Sequence, residues 1–158
     1  DQPGEMLIQA TTQMKYYWEA PDKTAQVMHE GFYRTGDIVY RDSEGLLWFA
    51  SRRKHIIIRK GSNIWPKEIE QVLLLHPSVD KAGVVGLANE AEGEVPYAFI
   101  STVDQQHADT SAILNFIQTR LAEYKWPIAI EYIDKMPIGN TGKVDRKALQ
   151  TILYKRSL

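Results

Sequence analysis

Three places in this sequence carry residue types that could do chemistry. Tyr33-Arg34-Thr35-Gly36-Asp37 sets a carboxylate beside a glycine. An ionised carboxylate accepts two hydrogen bonds at once, and a vicinal diol such as a ribose presents two donors at matching spacing. Bonds of that kind to a charged group are worth roughly 1.5–3 kcal/mol each. Taken alone, Asp37 is more simply a turn aspartate capping its own backbone. The second place is the cationic cluster Arg52-Arg53-Lys54-His55, which stands directly before an apolar strand and a glycine loop. Arg suits phosphate because its planar fork donates two parallel bonds. A run of charge is more often a solvated face, but at a boundary between domains such a residue can absorb a backbone rotation. The third place is Gly139-Asn140-Thr141-Gly142-Lys143. It lacks the four residues between glycines and the Ser or Thr after Lys that a P-loop requires. What remains is a lysine on a flexible loop just before a helix, able to reach a substrate or simply a surface lysine.

Other chemistry is not supported. The histidines His29, His55, His76 and His107 have no metal-ligand spacing, so no metal site is expected. There is no cysteine nucleophile or thiolate site, and no Ser-His-Asp arrangement stands out. Glu68 and Glu70 fall in the first turns of a helix, where the helix dipole accounts for them.

The elements that must hold these residues follow from local pattern. Glu5 to Ala10 reads as a strand entered from the Pro3-Gly4 turn, and Asp22 to His29 as a short helix ended by Gly31. Gly36 to Arg41 and Leu46 to Ala50 form a hairpin around Asp42-Ser43-Glu44-Gly45. Composition shifts abruptly after Ala50, which divides the chain into residues 1–52 and 53–158. His55 to Arg59 is a strand, Gly61 to Trp65 a loop, and Pro66 opens a helix with Ile69, Val72 and Leu73 on one face. Val79 to Leu87 and Val95 to Val103 are β-rich. Asp109 or Thr110 caps a helix bearing Ile113, Phe116, Ile117 and Leu121. Ile128 to Ile133 is a third strand, and Asp145 caps a last helix with Val144 stapled to Leu149. The second part is therefore an α+β fold, with a three-stranded sheet flanked by helices plus a hinge hairpin. A β-rich stretch, residues 1–52, precedes it.

The chain has 158 residues, 44% hydrophobic and 25% charged, with net charge −1, so bulk attraction to nucleic acid is not expected. No apolar run approaches the roughly 18 residues that span a bilayer. Asp1-Gln2-Pro3-Gly4 has neither an initiator Met nor a signal-peptide pattern and reads as a piece of a longer chain.

In their order, Gly31 to Asp37, Ile56 to Ile64 with Glu68-Ile69-Glu70, and Thr141 to Arg146 resemble the end of an adenylate-forming enzyme. That superfamily comprises acyl-CoA synthetases, peptide-synthetase adenylation domains and luciferases. The resemblance covers nearly the whole chain, from Gly4 to Leu149. It implies that residues 1–52 end a large N-terminal domain and that 53–158 form a mobile C-terminal domain. Asp37 is then implied to bind the ribose hydroxyls of ATP, and Arg52 to lie near the nucleotide. Lys54 is implied as the hinge, Gly61 as lining the pantetheine passage, and Lys143 as the catalytic lysine of the first half-reaction. The implied substrates are a carboxylic acid, ATP with Mg2+, and coenzyme A; the implied setting is cytoplasmic, with no nucleic acid or transmembrane segment involved. Ser51, His55 and Lys60 stand where Gly, Asp and Gly are usual. The phosphate loop and acid pocket are not in this stretch, so it is expected to be inactive alone, and its exposed apolar surface offers a route to self-association. Tyr124-Lys125-Trp126-Pro127 and Met14 to Trp18 look most like fatty-acyl, medium-chain or aryl-CoA ligases. A carrier-protein loading enzyme is the near alternative, and a non-catalytic module holding an anion or nucleic acid on Arg52 to Lys60 the distant one.

Overall fold

The computed structural model describes residues 2–103 and 109–156. Contacts divide the chain into two units, Asp1–Lys54 and His55–Leu158. His107 lies outside the described residues.

The first unit is built on one long strand. β3 (Phe32–Arg41) pairs antiparallel with β1 (Gly4–Ile8) along one edge. Its other edge takes β2 (Met28–His29) near its start and β4 (Leu47–Arg52) near its end. Glu30 and Gly31 both have positive φ and make the two-residue turn from β2 into β3. The helix expected to reach His29 therefore stops earlier, as α1 (Pro21–Val27), because His29 is taken by the sheet. The β3–β4 hairpin is closed by Asp42, whose Oδ1 accepts from the N–H groups of Glu44 at 3.0 Å and Leu46 at 2.9 Å.

The second unit is α+β, as the pattern implies. β7 (Val79–Asn89) and β8 (Gly93–Thr102) form a long hairpin. β9 (Ala129–Tyr132) lies parallel to β8. Parallel pairing requires a crossover, and α3 (Thr110–Gln118) lies in it. Asp109 caps α3 by accepting from Ser111 N and Ala112 N. α2 (Pro66–Leu74) buries Ile69 and Leu73 against this sheet together with Ile113 and Ile117 of α3. α4 (Arg146–Arg156) buries Leu149 and Leu153 in a second cluster with Val85, Phe99, Ile133 and Met136.

One expectation is overturned here. Gly61 to Trp65 is not a plain loop: Ser62–Ile64 is β6, paired with β5 (Ile57–Arg59) in a tight hairpin. Its two turn residues, Lys60 and Gly61, have φ of 49° and 79°. A turn of this hand is normally signalled by Asn-Gly or Gly-Gly, and Lys60 disguises it. β5 also starts later than expected, because Arg53–His55 winds into a 3-10 turn. The hairpin joins the larger sheet where Arg59 pairs with Gly93 at the start of β8, so five strands share one sheet.

Candidate functional site

The Thr35-Gly36-Asp37 stretch is a bulge inside β3 rather than a turn before it. Glu5 of β1 faces Ile38 and Leu7 faces Arg34, so Met6 alone stands opposite Thr35, Gly36 and Asp37. Gly36 takes φ +71°, which a side chain resists. Thr35 pins the bulge at both ends. Its Oγ1 donates to Met6 O at 2.8 Å and accepts from Asp37 N at 3.0 Å.

The bulge aims Asp37 across the ladder at Arg52, its register partner on β4. Arg52 Nε lies 2.7 Å from Asp37 Oδ1, and Arg52 Nη1 donates to Thr35 O at 3.1 Å. Arg52 thus balances the charge of Asp37, whose buried Oδ1 takes no hydrogen bond among the described residues. That donor set fits a diol beside a phosphoester: an acceptor for hydroxyls and a guanidinium for negative charge.

An open cleft of about 720 Å³ within the first unit is lined among others by Tyr33, Arg34, Thr35, Gly36, Arg52 and Lys54, but not by Asp37. Tyr33 is held above its ordinary phenol value, first by a hydrogen bond with Tyr17 and then by burial. Glu5 accepts from Arg34 Nη2 at 2.9 Å and Arg53 Nη1 at 3.2 Å, and these bonds, Arg34's foremost, hold it below its ordinary range. Arg52 and Arg53 pair with different carboxylates, whereas Arg59 and Lys60 both pair with Glu92. Exposed Lys54 is the last residue of the first unit.

In the second unit, Gly61 sits at the tip of the β5–β6 hairpin with nothing within 4 Å of where a Cβ would be. Arg59 braces this hairpin, reaching Glu92 and donating to the carbonyls of Tyr124 at 3.0 Å and Trp126 at 3.4 Å.

Lys143 is exposed in the loop before α4 and makes no ion pair among the described residues. Gly139 N donates to Lys143 O at 2.8 Å, Gly142 turns at φ +75°, and Ile138 bridges Val144. Asp145 caps α4 as expected, accepting from Lys147 N at 3.0 Å and Ala148 N at 3.1 Å.

Sequence reasoning missed Glu70. Rather than merely complementing the α2 dipole, its carboxylate accepts from Val84 N at 2.8 Å and from Arg146 Nη2 at 2.6 and 2.5 Å. Burial pushes this carboxyl above its ordinary range, and the Arg146 charge and Val84 N–H pull it part of the way back. Glu70 and Arg146 stand in two separate motifs of the sequence, which is the one signal that they belong together. No group of three or more His, Asp or Glu among the described residues could hold a metal ion. No helix among them is long and apolar enough to cross a membrane.

Similarity to known proteins extends over nearly all of the chain. Residues 68–143 match the family described as the AMP-binding enzyme C-terminal domain. A 2-succinylbenzoate–CoA ligase of Geobacillus kaustophilus is 40% identical over 152 residues, covering 96% of this chain and 31% of that protein. A long-chain-fatty-acid–CoA ligase of Bacillus subtilis is 38% identical over 146 residues, covering 92% of this chain and 26% of that protein. The solved o-succinylbenzoate CoA synthetase of Bacillus subtilis, in complex with its acyl-adenylate intermediate, matches with TM-score 0.85 at 33% identity. That match covers 94% of this chain and 30% of the other. The chain thus spans less than a third of the length of these relatives.

Proposed function

The chain belongs to the adenylate-forming enzymes, matching their C-terminal part, and from that premise we propose that it serves an ATP-dependent acid–thiol ligase. The acid is a fatty-acyl, medium-chain or aryl carboxylate, and the thiol is that of coenzyme A. Residues 1–52 close the large N-terminal domain and 53–158 are the mobile C-terminal domain. Such an enzyme works in the cytoplasm, where ATP and coenzyme A are supplied.

The observation that carries this reading is the distribution of residues about Lys54. Asp37 and Arg52 precede it in one unit; Gly61 and Lys143 follow it in the other. In the first half-reaction a carboxylate oxygen attacks the α-phosphorus of ATP, and pyrophosphate leaves. Asp37 accepts hydrogen bonds from the ribose hydroxyls, and Arg52 balances its charge and faces the phosphoester. Lys143 sets positive charge where negative charge develops between the carboxylate and the α-phosphate. In the second half-reaction the thiol sulfur attacks the acyl carbon and AMP leaves with the bonding pair. Rotation at Lys54 withdraws Lys143 and brings the Gly61 turn to line the thiol's path. The bare turn suits this role, since no side chain projects from Gly61 and nothing crowds it. Mg2+ neutralises phosphate charge when bound with ATP, and none of the described residues is assigned to it.

The test uses the full-length protein. Lys143→Ala should lower carboxylate-dependent pyrophosphate exchange by about 10²- to 10³-fold. It should still convert preformed acyl-adenylate to thioester. A Lys143→Ala protein that adenylates at the normal rate would sink this assignment.

A further inference from the structure

The position of the Lys143 ammonium depends on the backbone that carries it, because no acidic partner among the described residues restrains the side chain. Locally that backbone is closed by the Gly139–Lys143 bond, by Asp145 N donating to Pro137 O at 2.9 Å, and by the Ile138–Val144 bridge. These bonds shape the loop, and Val144 packs it against the cluster that holds Val85 and Leu149. Arg146, three residues beyond Lys143, makes a long-range connection. Its guanidinium meets both oxygens of Glu70 on α2, and Glu70 in turn holds the N–H of Val84 on β7. Arg146 Nε has no partner among the described residues, so Glu70 is the group that fixes this guanidinium. The side chains are 25% and 13% exposed. Pairs this shielded often contribute no more stability than well-packed apolar residues would, and their best-attested use is to set geometry.

We propose that the Glu70–Arg146 pair, seated on the Val84 N–H, positions Lys143 for adenylation by fastening the start of α4 to α2 and β7. The inference rests on the role given to Lys143 above. It also carries a selectivity. The Gly61 turn is fastened elsewhere, by Arg59 on Glu92 and on the Tyr124 and Trp126 carbonyls, and by Ile58 N on Glu94 at 3.0 Å. Loosening Glu70 should therefore impair the first half-reaction and spare the second.

In the full-length protein, Glu70→Ala should slow pyrophosphate exchange by about ten- to a hundredfold, the scale of a misplaced catalytic group. Thioester formation from preformed acyl-adenylate should change by less than about twofold. Glu70→Gln keeps an acceptor for Val84 N–H and should recover part of the loss; it also carries the test if the alanine variant fails to fold. Amide exchange should quicken at residues 138–145 and stay unchanged at 57–64. Equal slowing of both half-reactions, or unchanged exchange at 138–145, overturns the inference. If Lys143→Ala impairs adenylation and both Glu70 variants leave it intact, only this inference fails. If Lys143→Ala has no effect, the reading of Lys143 itself fails.

Discussion

Gly83 offers a quantitative test of how closely α4 is seated on β7. A Cβ at this position would fall 2.5 Å from Leu149 Cδ1, 2.9 Å from Val144 Cγ1 and 3.6 Å from Met136 Sδ. Carbon atoms in good contact stand about 3.5–4.0 Å apart. A methyl group therefore requires the α4 side to retreat by roughly 1 Å, or Leu149 to leave its rotamer. Leu149 is wholly buried and Val144 packs against the same cluster, so neither moves into open space. Overpacking of this kind costs about 1–3 kcal/mol. Replacing glycine in the unfolded chain returns about 0.4–1 kcal/mol. The net expectation for Gly83→Ala is a loss centred on about 1.3 kcal/mol, within a span of about 0–2.6 kcal/mol, read as a lower urea midpoint by circular dichroism. Leu149→Val shortens the obstructing side chain. The double variant should then be more stable than the sum of the two single changes, with a coupling of about 0.5 kcal/mol or more. Exchange at 138–145 should also rise in Gly83→Ala, because Val144 leads directly from Lys143. A Gly83→Ala protein more stable than the parent, or strict additivity with Leu149→Val, would refute the close seat.

Two further outcomes follow from local geometry. Lys60 holds φ 49° in the β5–β6 turn, a region that costs an ordinary residue about 1–2 kcal/mol. Its exposed contact with Glu92, at 3.3 Å, returns less than about 1 kcal/mol. Glycine also adds about 0.4–1 kcal/mol of entropy to the unfolded chain, so the terms nearly cancel and Lys60→Gly should shift the urea midpoint only slightly; a large drop would show that the Glu92 contact outweighs the strain. Glu5, depressed below its ordinary 4.5 by Arg34 and then Arg53, contributes stability that is present above that value and lost as pH falls through the depressed one. Glu5→Gln should thus lower the thermal midpoint at neutral pH, by the equivalent of about 0.5–1 kcal/mol for such partly exposed pairs. The difference should close in acid, and one that persisted unchanged there would show that the loss is not electrostatic.

Much of this protein is legible along the chain because its signals are local. Pro66 opens α2, Asp109 and Asp145 cap the helices that follow them, and Asp42 closes the β3–β4 turn. Each acts on groups a few residues away, so spacing alone reveals it. The motifs holding Asp37, Lys54, Gly61 and Lys143 are legible for the same reason, since each is a short run of particular residue types. Other features belong to tertiary structure. Thr35-Gly36-Asp37 looks like a turn and becomes a bulge only because Met6, far upstream, occupies the opposing strand position. Lys60-Gly61 becomes a hairpin turn because β5 and β6 gain more from pairing than Lys60 loses in an unfavourable φ. Glu70 reads as a helix-dipole residue until folding brings it Val84 and Arg146, 14 and 76 positions away. A buried carboxylate must find such partners, but nothing in the neighbouring residues says which. The sequence alone therefore specified the starts of α2, α3 and α4 and the Asp42 turn, and marked the groups proposed to act. The fold decided which of those groups are held, and against what, because the partners that hold them are distant in the chain.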